Sequence, residues 1–281
     1  MENRALPYLL LLPAILFLAG FFLYPFAMVA WQAFTDDAGF TMAHFIAMKD
    51  DWKFSTAFWN TIWLALAVIP VQLVLAITMA NMVNRMQKGR DIALYIWTIP
   101  LGISDLAAGI IWLAIFEQTG FLNSMLHAIG VADTPTNFLT YQNTGTIFIA
   151  IALAEIWRAT AIMLVILVAG MGLIPKEYHE AAEVFGASSW QRLIKVTLPL
   201  LKPSLQTALV LRVILAFEVF AVVAALGGTN FPVLMGETYN YQFELQDGNV
   251  AAAVALVILG ISIAFTLLIL RVLRVPKGAQ I

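Results

Sequence analysis

Residues Glu177–Pro203 read EYHEAAEVFGASSWQRLIKVTLPLLKP, a stretch out of character with the chain around it. Three glutamates, a histidine, an arginine and two lysines crowd into one interval of a protein that is 62% hydrophobic and only 11% charged. Soluble domains average about 25% charged residues. Tyr178, Ala181, Ala182 and Phe185 recur at the i, i+3, i+4, i+7 spacing of one helix face, and Glu177, Glu180 and Glu183 share the opposite side. Pro175 suits the first turn of that helix. Gly186 stands where a helix commonly stops, because glycine accepts a positive φ. Ser188 and Gln191 then have capping-box spacing, and Trp190, Leu193, Ile194 and Leu198 continue an apolar stripe until Pro199 and Pro203 end it. The interval therefore predicts a helix, a glycine turn and a second helix. Interfacial helices that lie on lipid usually carry lysine or arginine on the polar face. Three glutamates there favour a protein partner over anionic headgroups.

The flanks on both sides are lipid-like. Six apolar runs reach or exceed the ~18 residues needed to cross a bilayer as a helix: about 6–30, 61–81, 92–116, 146–171, 205–226 and 250–270. A membrane barrel would show short alternating segments instead. The expected fold is all-α, one polytopic membrane domain over 1–281 with six transmembrane helices, and the polar interval is a loop at 172–204 between the fourth and fifth. Arg4 before an apolar run has the look of a signal peptide, but the run is too long and no small-residue cleavage site follows cleanly, so it reads as a retained helix.

Lysine and arginine accumulate in cytoplasmic loops. Arg4, Arg85, Lys88, Arg90, Lys176, Arg192, Lys195, Lys202, Arg271, Arg274 and Lys277 fall on one side of the six runs. The other side holds Lys49 and Lys53, offset by Asp36, Asp37, Asp50 and Asp51, and its loops at 117–145 and 227–249 hold neither lysine nor arginine. Both termini and the polar interval are thus expected in the cytoplasm.

Glu180-Ala181-Ala182, three residues, Gly186, nine residues, then Val196-Thr197-Leu198-Pro199 resembles the EAA loop of ABC importer permeases. The family pattern ends in I-x-L-P, so Val196 is a mild departure. Phe185 stands where related sugar permeases often have aspartate. YLLLLPAILFLAGFFLYPF (8–26), FWNTIWLALA (58–67), IWRATAIMLVILVAGMGLIPKEYHEAA (156–182) and LPLLKP (198–203) are similar to carbohydrate-uptake permeases of the maltose and trehalose type. The resemblance implies half of a bacterial or archaeal inner-membrane importer. A dimer of separate ATPase subunits, with ATP and magnesium on those subunits, would grip the loop as a coupling helix. A second, similar permease would complete the pathway, and an extracytoplasmic binding protein would deliver a sugar, oligosaccharide or polyol. Glu180, Ala181, Ala182 and Gly186 would carry the docking, Tyr178, Phe185 and Trp190 would flank it, and Leu198 and Pro199 would hold the loop to the span below. LGGTN at 226–230 resembles the outer end of span five in such permeases and would join an outer gate.

Ionisable groups inside a span are functional by default. Glu155 and Arg158 are three apart on span four, Arg212 and Glu218 lie on span five, and Asp105 is expected near the middle of span three. In one reading these groups pair and brace the bundle, the favoured role for Arg158 and Arg212, the latter also within snorkelling reach of the cytoplasmic interface. In the other they line the pathway and bond sugar hydroxyls, with Trp157 stacking on a sugar ring. Asp105 and Glu218 fit either. The rival function is a proton-coupled secondary carrier using Glu155, Glu218 and Asp105. A membrane enzyme has no support. There is no cysteine, no G-x-x-x-x-G-K-[ST] phosphate loop and no H-E-x-x-H, and His44, His127 and His179 are far apart, so no metal, bound cofactor, catalytic set or nucleic-acid partner is expected.

Overall fold

The structure, a computed structural model, describes residues 6–274, so Arg4 and Lys277 lie outside the described residues. Helix α1 (Leu6–Leu18) runs through a π turn at Ala19–Leu23 into α2 (Tyr24–Phe34). The wide turn has a cause. Pro25 lacks an N–H, and its ring would meet the carbonyl four residues back, so the preceding Tyr24 N–H bonds to Ala19 O instead. A two-residue hairpin, β1 (Thr35–Asp36) with β2 (Gly39–Phe40), pairs Thr35 with Phe40 and leads into α3 (Ala43–Asp50). Asp51 then caps α4 (Trp52–Arg85) by accepting the Lys53 N–H at 2.9 Å. At 34 residues α4 is about 50 Å long, more than a bilayer core requires.

The third apolar run is not one helix. It holds α5 (Arg90–Thr98), a 3₁₀ turn at Ile99–Gly102 and α6 (Asp105–Phe116). Pro100 cannot continue the ladder, Ile103 and Ser104 are extended, and Ser104 Oγ accepts the Ala107 N–H at 3.2 Å to start a new helix. Asp105 is therefore the first residue of a half-helix, where the helix dipole favours an acid, and not the middle of a continuous span. Short α7 (Phe121–Ala128) follows, then α8 (Thr144–Gly172).

Beyond α8 lies the polar interval: α9 (Lys176–Val184), a turn through Gly186, α10 (Ser189–Arg192), a π turn at Leu193–Thr197, and α11 (Leu198–Leu200). The sequence bends by 73° between Ser189–Leu200 and α12 (Lys202–Phe217). The fifth apolar run is also broken. Residues 218–220 leave the helix before α13 (Ala221–Leu226), a 3₁₀ turn at Gly228–Asn230, α14 (Leu234–Tyr239), a π turn at Asn240–Glu244 and α15 (Gly248–Val272). Among the described residues, five helical stretches are long and apolar enough to cross a membrane, or six if the bent pair counts as one.

Helices α4 and α8 pack along their lengths, and α12 fills the groove between them. Helix α15 closes α12 on its far side and carries α2, α3 and α14, while α6 pairs with α13. The contacts rely on small side chains. Ala76, Ala80, Ala150, Ala154, Ala208 and Ala253 are fully buried, as expected where helices must approach closely in lipid. Two glycines set the tightest approaches. A Cβ on Gly109 would lie 2.7 Å from Ala225 Cβ and 3.2 Å from Val222 Cα, locking α6 against α13. One on Gly170 would lie 2.6 Å from Ser204 Cβ, where α8 meets the start of α12. Apart from the α15-facing end of α2, where Ala33 is buried, the α1–α2 rod leaves its apolar surface uncovered and presents Leu10, Phe17, Phe21 and Phe22 outward.

Candidate functional site

The polar interval forms a compact hairpin projecting from one end of the bundle. Gly186 has φ +75°, and its N–H donates to Glu183 O at 2.8 Å while the Ala187 N–H donates to Ala182 O at 2.9 Å. This pair of bonds is the glycine-terminated helix stop expected of the turn. Pro175 is the residue before the first helical position rather than within the first turn, with an extended ψ of 138°. The capping box is formed on both sides. Ser188 Oγ accepts the Gln191 N–H at 3.3 Å, and Gln191 Oε1 accepts the Ser188 N–H at 2.8 Å. Arg192 pairs with Glu183 across the hairpin, and Arg85 Nη2 donates to Ser189 O at 3.5 Å, tying the hairpin to the end of α4. Pro199 does not end the second helix. Leu198 bonds back five residues to Leu193, and this π turn makes room for the proline ring, as the turn before Pro25 does.

No residue of α9 is buried. Glu180, Ala181 and Gly186 are exposed and Ala182 is half-buried, while Tyr178, Phe185 and Trp190 are 52%, 89% and 68% exposed. The apolar face predicted for this helix is therefore real and points away from the chain's own core. Only the base is anchored. Leu193, Thr197 and Leu201 are buried, Leu198 is half-buried, and Pro199 is exposed.

The charges within the spans behave oppositely. Arg212 on α12 is 2% exposed; its Nε donates to Gln72 Oε1 at 2.6 Å and its Nη2 to Glu155 Oε2 at 2.8 Å. Gln72 on α4, wholly buried, donates in turn to the Glu155 backbone carbonyl at 2.7 Å. Arg158 reaches Asp105 Oδ1 at 2.8 Å and Glu155 Oε1 at 3.5 Å. One chain of contacts thus runs from α6 through α8 to α12 and α4. Arg212 is clamped at the centre of the bundle and does not snorkel to an interface. Arg212 Nη1 and Glu155 Oε1 are sealed without a hydrogen-bond partner, and a cavity of about 10 Å³ beside Glu155 and Arg212 is at the lower limit for one water molecule.

Glu218 stands apart from this network. It lies at the end of α12 where the fifth run breaks, exposed, on an apolar groove of about 450 Å³ that also holds Ser262 and Thr266. The Trp157 ring is half-buried and packs edge-on against Trp112 at 6.2 Å, so it is not an open stacking platform. At the end of the bundle opposite the hairpin, Tyr241 donates to Asp51 Oδ2 at 2.6 Å, and burial and this bond push the phenol's pKa up. Buried Glu237 is also pushed up by desolvation, opposed by a 3.3 Å hydrogen bond from Asn240 and by Lys53.

A family model described as binding-protein-dependent transport system inner membrane component matches residues 72–275. The chain belongs to that family. It is the permease of an ABC importer, a membrane transport subunit rather than a catalyst. A probable ABC transporter permease of Brucella suis biovar 1 (strain 1330) is 32% identical, over 97% of this chain and 98% of that protein. The arabinooligosaccharides transport system permease protein AraP of Bacillus subtilis (strain 168) is 31% identical, over 99% and 91%. The trehalose/maltose transport system permease protein MalF of Thermococcus litoralis is 29% identical, over 97% and 95%. Among solved structures, a chain of a bacterial ABC transporter involved in the import of the acidic polysaccharide alginate superposes with a TM-score of 0.81 over 99% of this chain and 98% of that one, at 23% identity, which shows a shared fold.

In this permease the matched region begins at Gln72, the network member that reading the sequence missed. Its signal was weak but present: an amide inside an apolar run, two residues after Pro70. The breaks at 99–104 and 218–220 were missed too. Pro100, Gly102 and Ser104 mark the first, whereas no proline or glycine marks the second.

Proposed function

We propose that this permease forms half of the pathway of an ATP-driven importer for a sugar, oligosaccharide or polyol, and that its hairpin is gripped by a separate ATPase dimer. The observation that carries the coupling claim is the exposure of Tyr178, Phe185 and Trp190 on a rigid hairpin whose base alone is buried. Large aromatic side chains left bare outside the lipid-like runs are what a protein partner covers. Glu180, Ala181, Ala182 and Gly186 lie on the same projection, in the spacing of the family loop. The basic residues at that end support a cytoplasmic hairpin with both ends of the chain on the same side, and in this reading the membrane is the bacterial or archaeal inner membrane. A second, similar permease completes the channel, and an extracytoplasmic binding protein supplies the substrate. A neighbouring fold comes from a transporter seen with an alginate pentasaccharide-bound periplasmic protein. The substrate class rests on the relatives, whose names specify arabinooligosaccharides, trehalose and maltose, and sulfoquinovosyl glycerol. Asp105, Glu155 and Arg158 brace the spans, and Asp105, half-exposed, and Glu218 border the pathway.

The test is co-purification of the ATPase with the permease, followed by ATP-driven uptake in vesicles. Glu180→Lys and Gly186→Val should each release the ATPase and abolish uptake while the permease still inserts. Retention of both assembly and uptake in these variants would overturn the docking assignment.

A further inference from the structure

The end of the permease opposite the hairpin holds a cavity of about 510 Å³, within the range of small-molecule sites. Its lining combines aromatic and polar side chains. Trp52, Tyr141, Phe220 and Tyr239 provide aromatic faces, and Glu237 and Asn240 provide polar groups. Tyr239 packs against two rings, Phe220 with centroids 5.1 Å apart and Phe243 at 4.8 Å, which fixes its orientation while the residue stays 44% exposed. Trp52 is 74% exposed at the start of α4, with the Lys53 ammonium 6.0 Å from its ring centre.

Glu237 is the group that needs explaining. It is 6% exposed, forms no ion pair among the described residues, and has one hydrogen bond, a long one from Asn240 to a single carboxyl oxygen. The other carboxyl oxygen has no hydrogen-bond partner among the described residues and is not sealed, so it is an acceptor open to a ligand in the cavity. The desolvation of Glu237 shows as a raised pKa. The segment carrying it is held rigidly. Leu234 N–H donates to Thr61 Oγ1 at 3.0 Å, Asn60 Nδ2 to Pro232 O at 2.9 Å, and Tyr241 is bonded to Asp51. The predicted outer-gate stretch contributes Gly228, Thr229 and Asn230 to the same wall.

We infer that this cavity is a receiving subsite for one pyranose or furanose unit of an uncharged oligosaccharide, packed against the exposed parts of Tyr239 and Trp52 and hydrogen-bonded through its hydroxyls to Glu237 and Asn240. Aromatic faces match the C–H faces of a sugar ring, and paired carboxyl and amide groups match its adjacent hydroxyls. The subsite is separate from the Asp105–Arg158–Glu155–Arg212 network, none of whose members lines it. It rests on the importer reading and adds a step to it: a sugar released outside is held at the mouth before it enters the spans.

The test is equilibrium binding of trehalose, maltose and arabinotriose to the complete purified transporter, without its binding protein and without ATP, read by tryptophan fluorescence and by calorimetry. Saturable binding of at least one probe is expected. Glu237→Gln and Tyr239→Ala should each weaken it about tenfold, the loss expected for one hydrogen bond to a charged group or one aromatic contact. Basal ATP hydrolysis should be unchanged. Transport of a probe that neither variant alters, with no saturable binding to the complex, would overturn the subsite and leave the importer reading standing. Absence of transport for every sugar tried, with the ATPase assembled, would instead count against the importer reading. Loss of stimulation by the binding protein in the variants, with free-sugar binding intact, would assign the cavity to a side chain of that protein and also overturn the subsite.

Discussion

The middle of this permease and its hairpin invert the usual arrangement of a protein. At the centre, Arg212, Glu155 and Gln72 are sealed and bonded to one another, while on the hairpin Tyr178, Phe185 and Trp190 stand bare. The reason is the solvent. In lipid, apolar side chains gain nothing by leaving the surface, so packing, small residues and hydrogen bonds between helices decide what lies inside. In water, an exposed aromatic face loses free energy until something covers it. The first region finds its partners within one chain, and the second is the surface proposed above to meet another protein.

Removing one partner from the network is the severest way to break that contrast. Arg212→Ala leaves Glu155 buried with only the 3.5 Å contact to Arg158 and should destabilise the permease by about 3–5 kcal/mol. Thermal unfolding in detergent measures it. The double variant Arg212→Met with Glu155→Leu should recover most of the loss, because it removes both charges. A double variant as unstable as the single would mean that the network supplies more than mutual neutralisation.

Substitution at the hairpin turn comes next. Gly186→Val forces a β-branched residue to φ +75°, a strain of about 1–2 kcal/mol. That strain should be confined to the hairpin, leaving the main unfolding transition close to wild type while uptake is lost.

A smaller effect is expected at Glu237, a buried acid with no counter-charge in salt-bridge range. Its pKa is raised on folding, so its contribution to stability is complete in acid and is lost as pH rises through the raised value. Glu237→Gln does not titrate. Melting curves should therefore favour the variant progressively from acid to neutral pH, and a pH-independent difference would contradict the desolvation argument.

The smallest change is the most telling. Phe185→Ala removes a side chain that is 89% exposed and should shift the stability of the isolated permease by no more than about 0.5 kcal/mol. It should still reduce recovery of the ATPase in co-purification, and a large loss of intrinsic stability would show that the ring packs on its own chain.

The hairpin was legible in the sequence because its signals are local. Gly186, Ser188 and Gln191 each act within a turn, and the apolar face follows from spacing alone. The network was half legible. Four of its five members stood out as charges in apolar runs, but hydropathy cannot say that Arg212 points at Glu155 rather than at an interface, nor that an amide on α4 completes the set. The breaks were least legible. Between Ala208 and Leu226 the run is apolar but for Arg212 and Glu218 and carries no proline or glycine, so no helix-breaking residue announces its interruption at 218–220.

That interruption has a mechanical consequence. Below it, α12 is pinned to α8 and α4 by Arg212 and is joined through Leu201 to the base of the hairpin. Above it, α13 is seated on α6 at Gly109, where the Ala225 methyl and the Val222 backbone occupy the space a side chain would need. The fifth span is thus a jointed lever rather than a rod. In the proposed coupling, a pull arriving through the hairpin would meet this break in the helix, so that the inner limb would swing while the outer limb keeps its seat.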